Sequence, residues 1–217
     1  MVAQSDAQVG KGILLVEGKN DKHVILALCQ HFSIPETFTI KECIGDDRLF
    51  EMADALIPAP GYADAIIGLV VDADERGVSS RWQQLVSMLQ THGYDLSSLR
   101  PDPEGSVLAA PAGCPRLGLW IMPNNRDTGR LEDFLLAMVQ QQGDGLEIAS
   151  RCLSNAEEAG ITTFKATHRS KAVLHTYLAW QDEPGMPMGQ SITRQVLQPT
   201  TTTCHAFIHW LKRLFHT

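Results

Sequence analysis

Positive charge is scarce in this sequence. The 217-residue chain has 18 Lys and Arg against 25 Asp and Glu, a formal net charge of −7. This balance excludes a protein that coats nucleic acid with a broadly basic surface, because such binding depends on neutralising phosphates. An acidic chain that binds nucleic acid needs a local basic face or a metal ion to do so.

Several diagnostic motifs and segments are also lacking. No two of the 5 cysteines have CxxC spacing, which argues against a zinc knuckle or redox pair and favours reduced thiols in a cytosolic protein. The first ten residues have neither the basic nor the apolar region of a signal peptide, and the longest apolar run, residues 65–71, is too short to span a membrane. We therefore expect a cytoplasmic protein with no membrane segment.

The sequence does contain enough apolar residues, 44% of the chain, for a globular core. Short uninterrupted apolar runs alternate with amphipathic helical patterns, which is typical of a parallel sheet covered on both faces. The predicted strands lie near residues 13–16, 37–44 and 65–71, followed by a hairpin at 107–110 and 117–122. The later helices are predicted at 131–140, 146–153, 171–180 and 206–215, with a loop at 184–190.

These patterns predict an α/β fold with a mainly parallel sheet flanked by helices. We assign residues 1–140 to this α/β domain. Residues 141–217 are predicted to form a helical C-terminal extension packed on the same core.

Acidic residues follow two of the predicted strands. Glu17 ends the first strand, Asp21 comes one helical turn later, and Asp72 and Asp74 end the third strand. Ligands of open α/β sheets bind beyond the carboxyl ends of the strands, so we expect these carboxylates at one edge. Because side chains alternate along a strand, Asp72 and Asp74 should point the same way and raise each other's pKa. Mg²⁺, which prefers hard oxygen ligands, would relieve that repulsion. Each short motif by itself is more often a loop or a helix cap.

The two acidic motifs together resemble a known domain. VEGKND at residues 16–21, followed by VVDAD at residues 70–74, resembles the Toprim domain of topoisomerases, bacterial primases and OLD-family nucleases. The EGxxD form is most similar to OLD-type nuclease Toprim domains. The resemblance implies a Toprim-like, Rossmann-like fold with a compact, mainly parallel sheet of about four strands flanked by helices. The resemblance covers about residues 10–140, and residues 171–185 resemble a small stand-alone Toprim-like family of unknown function.

The resemblance implies one or two Mg²⁺ or Mn²⁺ ions and assigns roles to particular residues. Glu17 would act as a metal ligand and as an acid–base group, and Lys171, or alternatively Lys165, would neutralise charge on the phosphorus. Glu132 would be the acid that follows the later strand near a helix start, while Asp133 would instead interact with the positive N-terminus of that helix. The full implied metal set is Glu17, Asp21, Asp72, Asp74 and Glu132.

Two arginines are candidate phosphate-binding residues. Arg126 and Arg130 lie in and just after a turn-rich loop that follows an apolar strand, where the strand ends gather.

The function that the resemblance implies is metal-dependent phosphoryl transfer. Topoisomerase activity needs a tyrosine on a separate DNA-binding domain, and primase activity needs template-binding and zinc domains. We recognise none of these in the sequence, so we expect hydrolysis of nucleic-acid phosphodiesters. The alternative is a non-catalytic, Mg²⁺-dependent module that binds a nucleotide or nucleic acid. Such a module would act with a partner protein, for example in phage defence, or as a homodimer. Any ATPase would come from that partner, because the chain lacks GxxxxGK[ST]. A receiver-like phosphoacceptor domain is a third reading, which the DxD and EGxxD order disfavours.

Overall fold

A computed structural model describes residues 12–96, 99–139 and 143–216. The strands are β1 (Gly12–Val16), β2 (Phe38–Glu42), β3 (Ile66–Asp72), β4 (Ser106–Leu108) and β5 (Arg116–Met122). The helices are α1 (Lys19–His31), α2 (Asp46–Leu56), α3 (Gly77–Thr91), α4 (Leu131–Leu136), α5 (Gly145–Glu158), α6 (Arg169–Leu178), α7 (Met188–Thr193) and α8 (Thr202–Phe215). Two short 3-10 helices, Pro60–Tyr62 and Ala166–His168, complete the described elements.

The five strands form one sheet in the order β2-β1-β3-β5-β4. The first four in this order pair in parallel, and β4 pairs antiparallel with β5 as the predicted hairpin. The structure thus confirms the α/β fold with a mainly parallel sheet. Strands β1 and β3 lie side by side, so their carboxyl ends are neighbours at one edge.

Helices cover both faces of the sheet, as the uninterrupted apolar strands predict. One hydrophobic cluster joins α2 and α3 to one face, through side chains such as Leu49, Leu85 and Ile67. A second cluster joins α1, α4, α7 and α8 to the opposite face, around Trp120 and Phe207. Both clusters contain residues from the central strands, so the sheet is buried on both sides.

Helix α8 packs closely on the middle of the sheet because two glycines leave room for it. Gly68 of β3 and Gly118 of β5 are paired in register, and Leu214 lies against both. A Cβ atom on Gly118 would come within 2.3 Å of the Leu214 side chain, and one on Gly68 within 3.0 Å. The end of the C-terminal extension is therefore part of the main core, and the predicted boundary at 140–141 lies outside the described residues.

The loop predicted at 184–190 is wrong in its last part, because α7 begins at Met188. Met186 and Met188 are buried in the same cluster as α1, and a Cβ on Gly189 would lie 2.6 Å from the His23 carbonyl oxygen. Packing against α1 stabilises this short helix, and a local pattern of Pro, Gly and Met does not report such packing. Across the part of the chain that the structure describes, we find no helix with the length and apolar character that crossing a membrane requires.

Candidate functional site

Two acidic side chains meet where β1 and β3 end. Glu17 directly follows β1, and Asp72 is the last residue of β3. The backbone amide of Asp72 donates a hydrogen bond to Oε1 of Glu17 at 2.8 Å. The parallel pairing of the two strands therefore brings these carboxylates to one edge, as the sequence predicts.

Two further carboxylates come from the first turns of helices. Asp21 lies in the first turn of α1, where its Oδ2 accepts the Gly18 amide at 3.1 Å, and Glu132 lies in the first turn of α4. Each is only 8% exposed. Asp133 lies at the N-terminus of α4 as predicted, where its carboxylate accepts the Arg130 amide at 2.8 Å and the Ser170 hydroxyl at 2.5 Å.

These four carboxylates share a cleft of about 350 Å³ at the carboxyl edge of the sheet. Its acidic lining consists of Glu17, Asp21, Asp72 and Glu132, and its cationic lining includes Lys19, Arg130 and Lys171. Nζ of Lys171, on α6, lies 3.7 Å from Oε1 of Glu132. The C-terminal extension thus contributes a cation to a site built by the α/β domain.

Three carboxylates of the cleft, those of Glu17, Asp21 and Asp72, have raised pKa values. Burial is the main cause that raises the pKa of Glu17 from 4.5 to about 7 and that of Asp21 from 3.8 to about 6. Burial, and then the charge of Glu17, raise the pKa of Asp72 well above its usual range. The negative charges of these carboxylates therefore lie close together in a partly dehydrated cleft, and binding a cation or a proton stabilises them.

Asp74 does not lie with the four carboxylates of the cleft. Strand β3 ends at Asp72, and Asp74 takes a left-handed backbone conformation with φ of 53° while its amide donates to the Gly129 carbonyl at 2.9 Å. Strand alternation therefore does not extend to Asp74, and the expectation that both aspartates point the same way is wrong for this reason. Asp72 lines the cleft, whereas Asp74 lines a neighbouring cavity.

Two arginines hold the Asp74 carboxylate. Its Oδ2 lies 3.0 Å from the guanidinium of Arg81, and its Oδ1 lies 2.6 Å from Nε of Arg130. Arg130 also lines the main cleft, so this ion pair fixes a cation between the two cavities. The predicted metal ligand Asp74 is thus an anchor for guanidinium groups in this structure.

Arg81 is a site residue that the sequence reasoning missed. It is 1% exposed. Its Nε donates to the Asp72 carbonyl at 2.8 Å, its Nη1 donates to Asp46 and Gln84, and its Nη2 donates to Asp74. Its charge lies beneath the carboxylates and opposes the rise in the pKa of Glu17. The available signal was its spacing: Arg81 stands three residues after Val78 and four before Leu85, on the buried face of α3.

The two predicted phosphate-binding arginines lie in different places. Arg130 lines the cleft, but Arg126 is exposed and lines a separate cavity with Thr202 and Thr203 at the start of α8. Of the two predicted lysines, Lys171 lines the cleft, whereas Lys165 is exposed and is not part of its lining.

The donor set of the cleft consists of carboxylate oxygens, which suits Mg²⁺ or Mn²⁺. Within residues 12–96, 99–139 and 143–216, no three His, Cys, Asp or Glu side chains are arranged so that they could hold a metal ion as they stand. The chemistry of the cleft therefore fits a divalent ion held by one or two carboxylates and completed by water.

Fold and site together define an α/β protein with an acidic cleft, rimmed by cations, at the carboxyl edge of its parallel strands. The chain belongs to the family described as a protein of unknown function, DUF3226, whose sequence model matches residues 11–216. Comparison with curated proteins and with solved structures gave no match. The family match spans both the sheet and the C-terminal helices, which agrees with their common core.

Proposed function

We propose that this protein is a Toprim-like, metal-dependent phosphodiesterase that cleaves nucleic acid. The observation that supports this most strongly is the cleft itself. Four carboxylates from two strand ends and two helix starts line a space that also contains lysine and arginine side chains. A site for a phosphodiester at a divalent ion needs both kinds of group, because oxygen ligands hold the cation and cations hold the phosphate.

The residues that would hold Mg²⁺ or Mn²⁺ are Glu17, Asp21, Asp72 and Glu132. When bound, the ion would polarise phosphate oxygens and lower the pKa of a water molecule. The high pKa values of Glu17, Asp21 and Asp72 indicate that their charges are poorly compensated within the chain, which favours the uptake of a cation.

Side chains of the protein would accept the proton of the water and place positive charge beside the phosphate. Glu17, which lines the cleft, would accept the proton of the attacking water. The Asp72 amide fixes its Oε1. Two cations would supply positive charge to the phosphate: Lys171, which is paired with Glu132, and Arg130, which is paired with Asp74.

Asp74 has a different role in this proposal from that of Asp72. Its carboxylate orients Arg130 toward the cleft and neutralises the buried charge of Arg81. We therefore expect Asp72→Asn to abolish cleavage and Asp74→Asn to weaken it in part, because only the former would remove a ligand.

The experiment is a cleavage assay on single- and double-stranded DNA and RNA with Mg²⁺ or Mn²⁺. The wild type is compared with Asp72→Asn and with a matched control, Asp182→Asn, whose side chain is exposed and does not line the cleft. We expect cleavage that needs the metal, survives in Asp182→Asn and disappears in Asp72→Asn. Cleavage that persists in Asp72→Asn would overturn the proposed site.

A non-catalytic binding module is the second candidate, and one observation favours it. The carboxylates of the described residues do not converge into a set of three ligands, and Lys171 stands near Glu132. A protein of this kind would bind a nucleotide or a nucleic-acid end in a Mg²⁺-dependent manner and act with a partner protein. Metal-dependent binding of nucleic acid without cleavage under any of the assay conditions would favour this candidate over the phosphodiesterase.

A further inference from the structure

Ile44 has a backbone conformation that its side chain disfavours. Its φ is 60°, in the left-handed region, where a β-branched residue is a genuine outlier. The other non-glycine residues with positive φ in the described part of the chain are all polar: Ser33, Asp74, Asn125, Gln195 and His216. Backbone strain of this kind concentrates at functional sites and ligand clamps.

Packing does not compensate for this strain. The Ile44 side chain is 85% exposed, the largest exposed fraction among the large apolar residues that the structure describes. Asn or Gly would fit the backbone better and would leave no apolar surface in water. Ile44 thus carries two separate costs, one of conformation and one of exposure, and at 85% exposure little of its side chain is covered by the described residues.

The backbone on both sides of Ile44 is anchored to the candidate site. The Cys43 amide donates to the Val16 carbonyl at 3.0 Å, and the Gly45 amide donates to the Glu17 carbonyl at 2.9 Å. Gly45 itself lines the cleft beside Glu17. These bonds hold Ile44 at the carboxyl edge of the sheet, directly before the cleft-lining Gly45, with its side chain exposed.

We infer that Ile44 is a substrate-contacting residue that packs against a nucleobase of the strand whose phosphate enters the cleft. This inference rests on the proposed function. The largest apolar surfaces of a nucleic acid are the faces of its bases, and proteins use isoleucine and similar side chains as wedges between bases. A base bound at Ile44 would cover the exposed side chain, while the cations of the cleft hold the neighbouring phosphate.

The test compares two probes and two matched variants. The probes are a fluorescent oligothymidylate and the same oligomer with abasic sites, and their binding is measured by anisotropy in Ca²⁺ to suppress cleavage. The variants are Ile44→Asn and, as a control, Gln195→Asn. Gln195 is also exposed and has φ of 60°, but unlike Ile44, which is followed by the cleft-lining Gly45, it has no sequence neighbour that lines the cleft.

Both variants replace a strained residue with one that tolerates the left-handed region, so each should raise the melting temperature by about 1–3 °C. Ile44→Asn should bind the oligothymidylate about tenfold more weakly than the wild type and bind the abasic oligomer equally well. Gln195→Asn should bind both probes as the wild type does.

Equal binding of the oligothymidylate by Ile44→Asn and the wild type would overturn the contact and leave the proposed function standing. An equal loss of affinity for both probes would also overturn it, because the side chain would then act on the backbone of the strand or on the cleft. If the wild type binds neither probe, the contact is overturned as well, and the cleavage assay on DNA and RNA tests the proposed function separately.

Discussion

The substitution Glu17→Gln should stabilise the metal-free protein at alkaline pH and have little effect at acidic pH. Burial, reinforced by the charges of Asp21 and Asp46, raises the pKa of Glu17 from 4.5 to about 7, although Arg81 and the Asp72 amide oppose the rise. Between these two pH values the folded state keeps a proton that the unfolded state has released. The unfolded state binds fewer protons there, so the free energy of unfolding falls as the pH rises through this window.

The size of the effect follows from the shift. A rise from 4.5 to about 7 corresponds to about 3 kcal/mol of stability lost once Glu17 is ionised in the folded state. Glutamine has no charge to bury and keeps the oxygen that accepts the Asp72 amide. Glu17→Gln should therefore exceed the wild type by about 3 kcal/mol at about pH 8, and by close to nothing at about pH 4.5.

Urea unfolding in EDTA, followed by circular dichroism at both pH values, measures this difference. The matched control is Glu158→Gln, at an exposed position at the end of α5, which should follow the wild type at both pH values. A Glu17→Gln protein that is less stable than the wild type at alkaline pH would refute the reasoning. A gain of the same size at both pH values would refute it as well, because ionisation would not be its cause.

Two further predictions concern the core and the cleft. Gly118→Ala should lower the free energy of unfolding by about 1–3 kcal/mol, because its Cβ would meet Leu214 at 2.3 Å, whereas Gly61→Ala, with nothing within 4 Å, should not. Equal unfolding midpoints in urea for the two variants would contradict the close packing of α8. Arg130→Gln should lower the rate of nucleic-acid cleavage at least about tenfold, and Arg126→Gln should leave it unchanged, because only Arg130 lines the cleft. A larger loss of cleavage rate in Arg126→Gln than in Arg130→Gln would show that phosphate binds in the cavity lined by Arg126.

The fold was predictable because its signals are local and periodic. Apolar runs at β1 and β3 and the amphipathic patterns between strands predicted the parallel sheet, and the acids after those strands predicted the edge at which Glu17 and Asp72 meet. The helix α7 was not predictable in the same way. It is short, and its stability comes from buried contacts with α1 that are distant in sequence.

The candidate site was predictable only in part, for reasons of side-chain geometry. The sequence does not show that β3 ends at Asp72 and that a left-handed residue then turns Asp74 toward two arginines. It also does not distinguish Arg126 from Arg130, since both follow the same strand and only the fold separates their cavities. Arg81 was missed because a buried arginine on an amphipathic helix is rare and its partners come from distant segments.

The central claim is that the carboxylates of the cleft form a binding site for a divalent cation. Titration of Mn²⁺ followed by electron paramagnetic resonance tests it directly, with the wild type, Asp72→Asn and Asp182→Asn measured at the same pH. The account predicts that the wild type and Asp182→Asn bind Mn²⁺ with the same affinity and that Asp72→Asn loses that binding. Equal Mn²⁺ binding by all three proteins would contradict it.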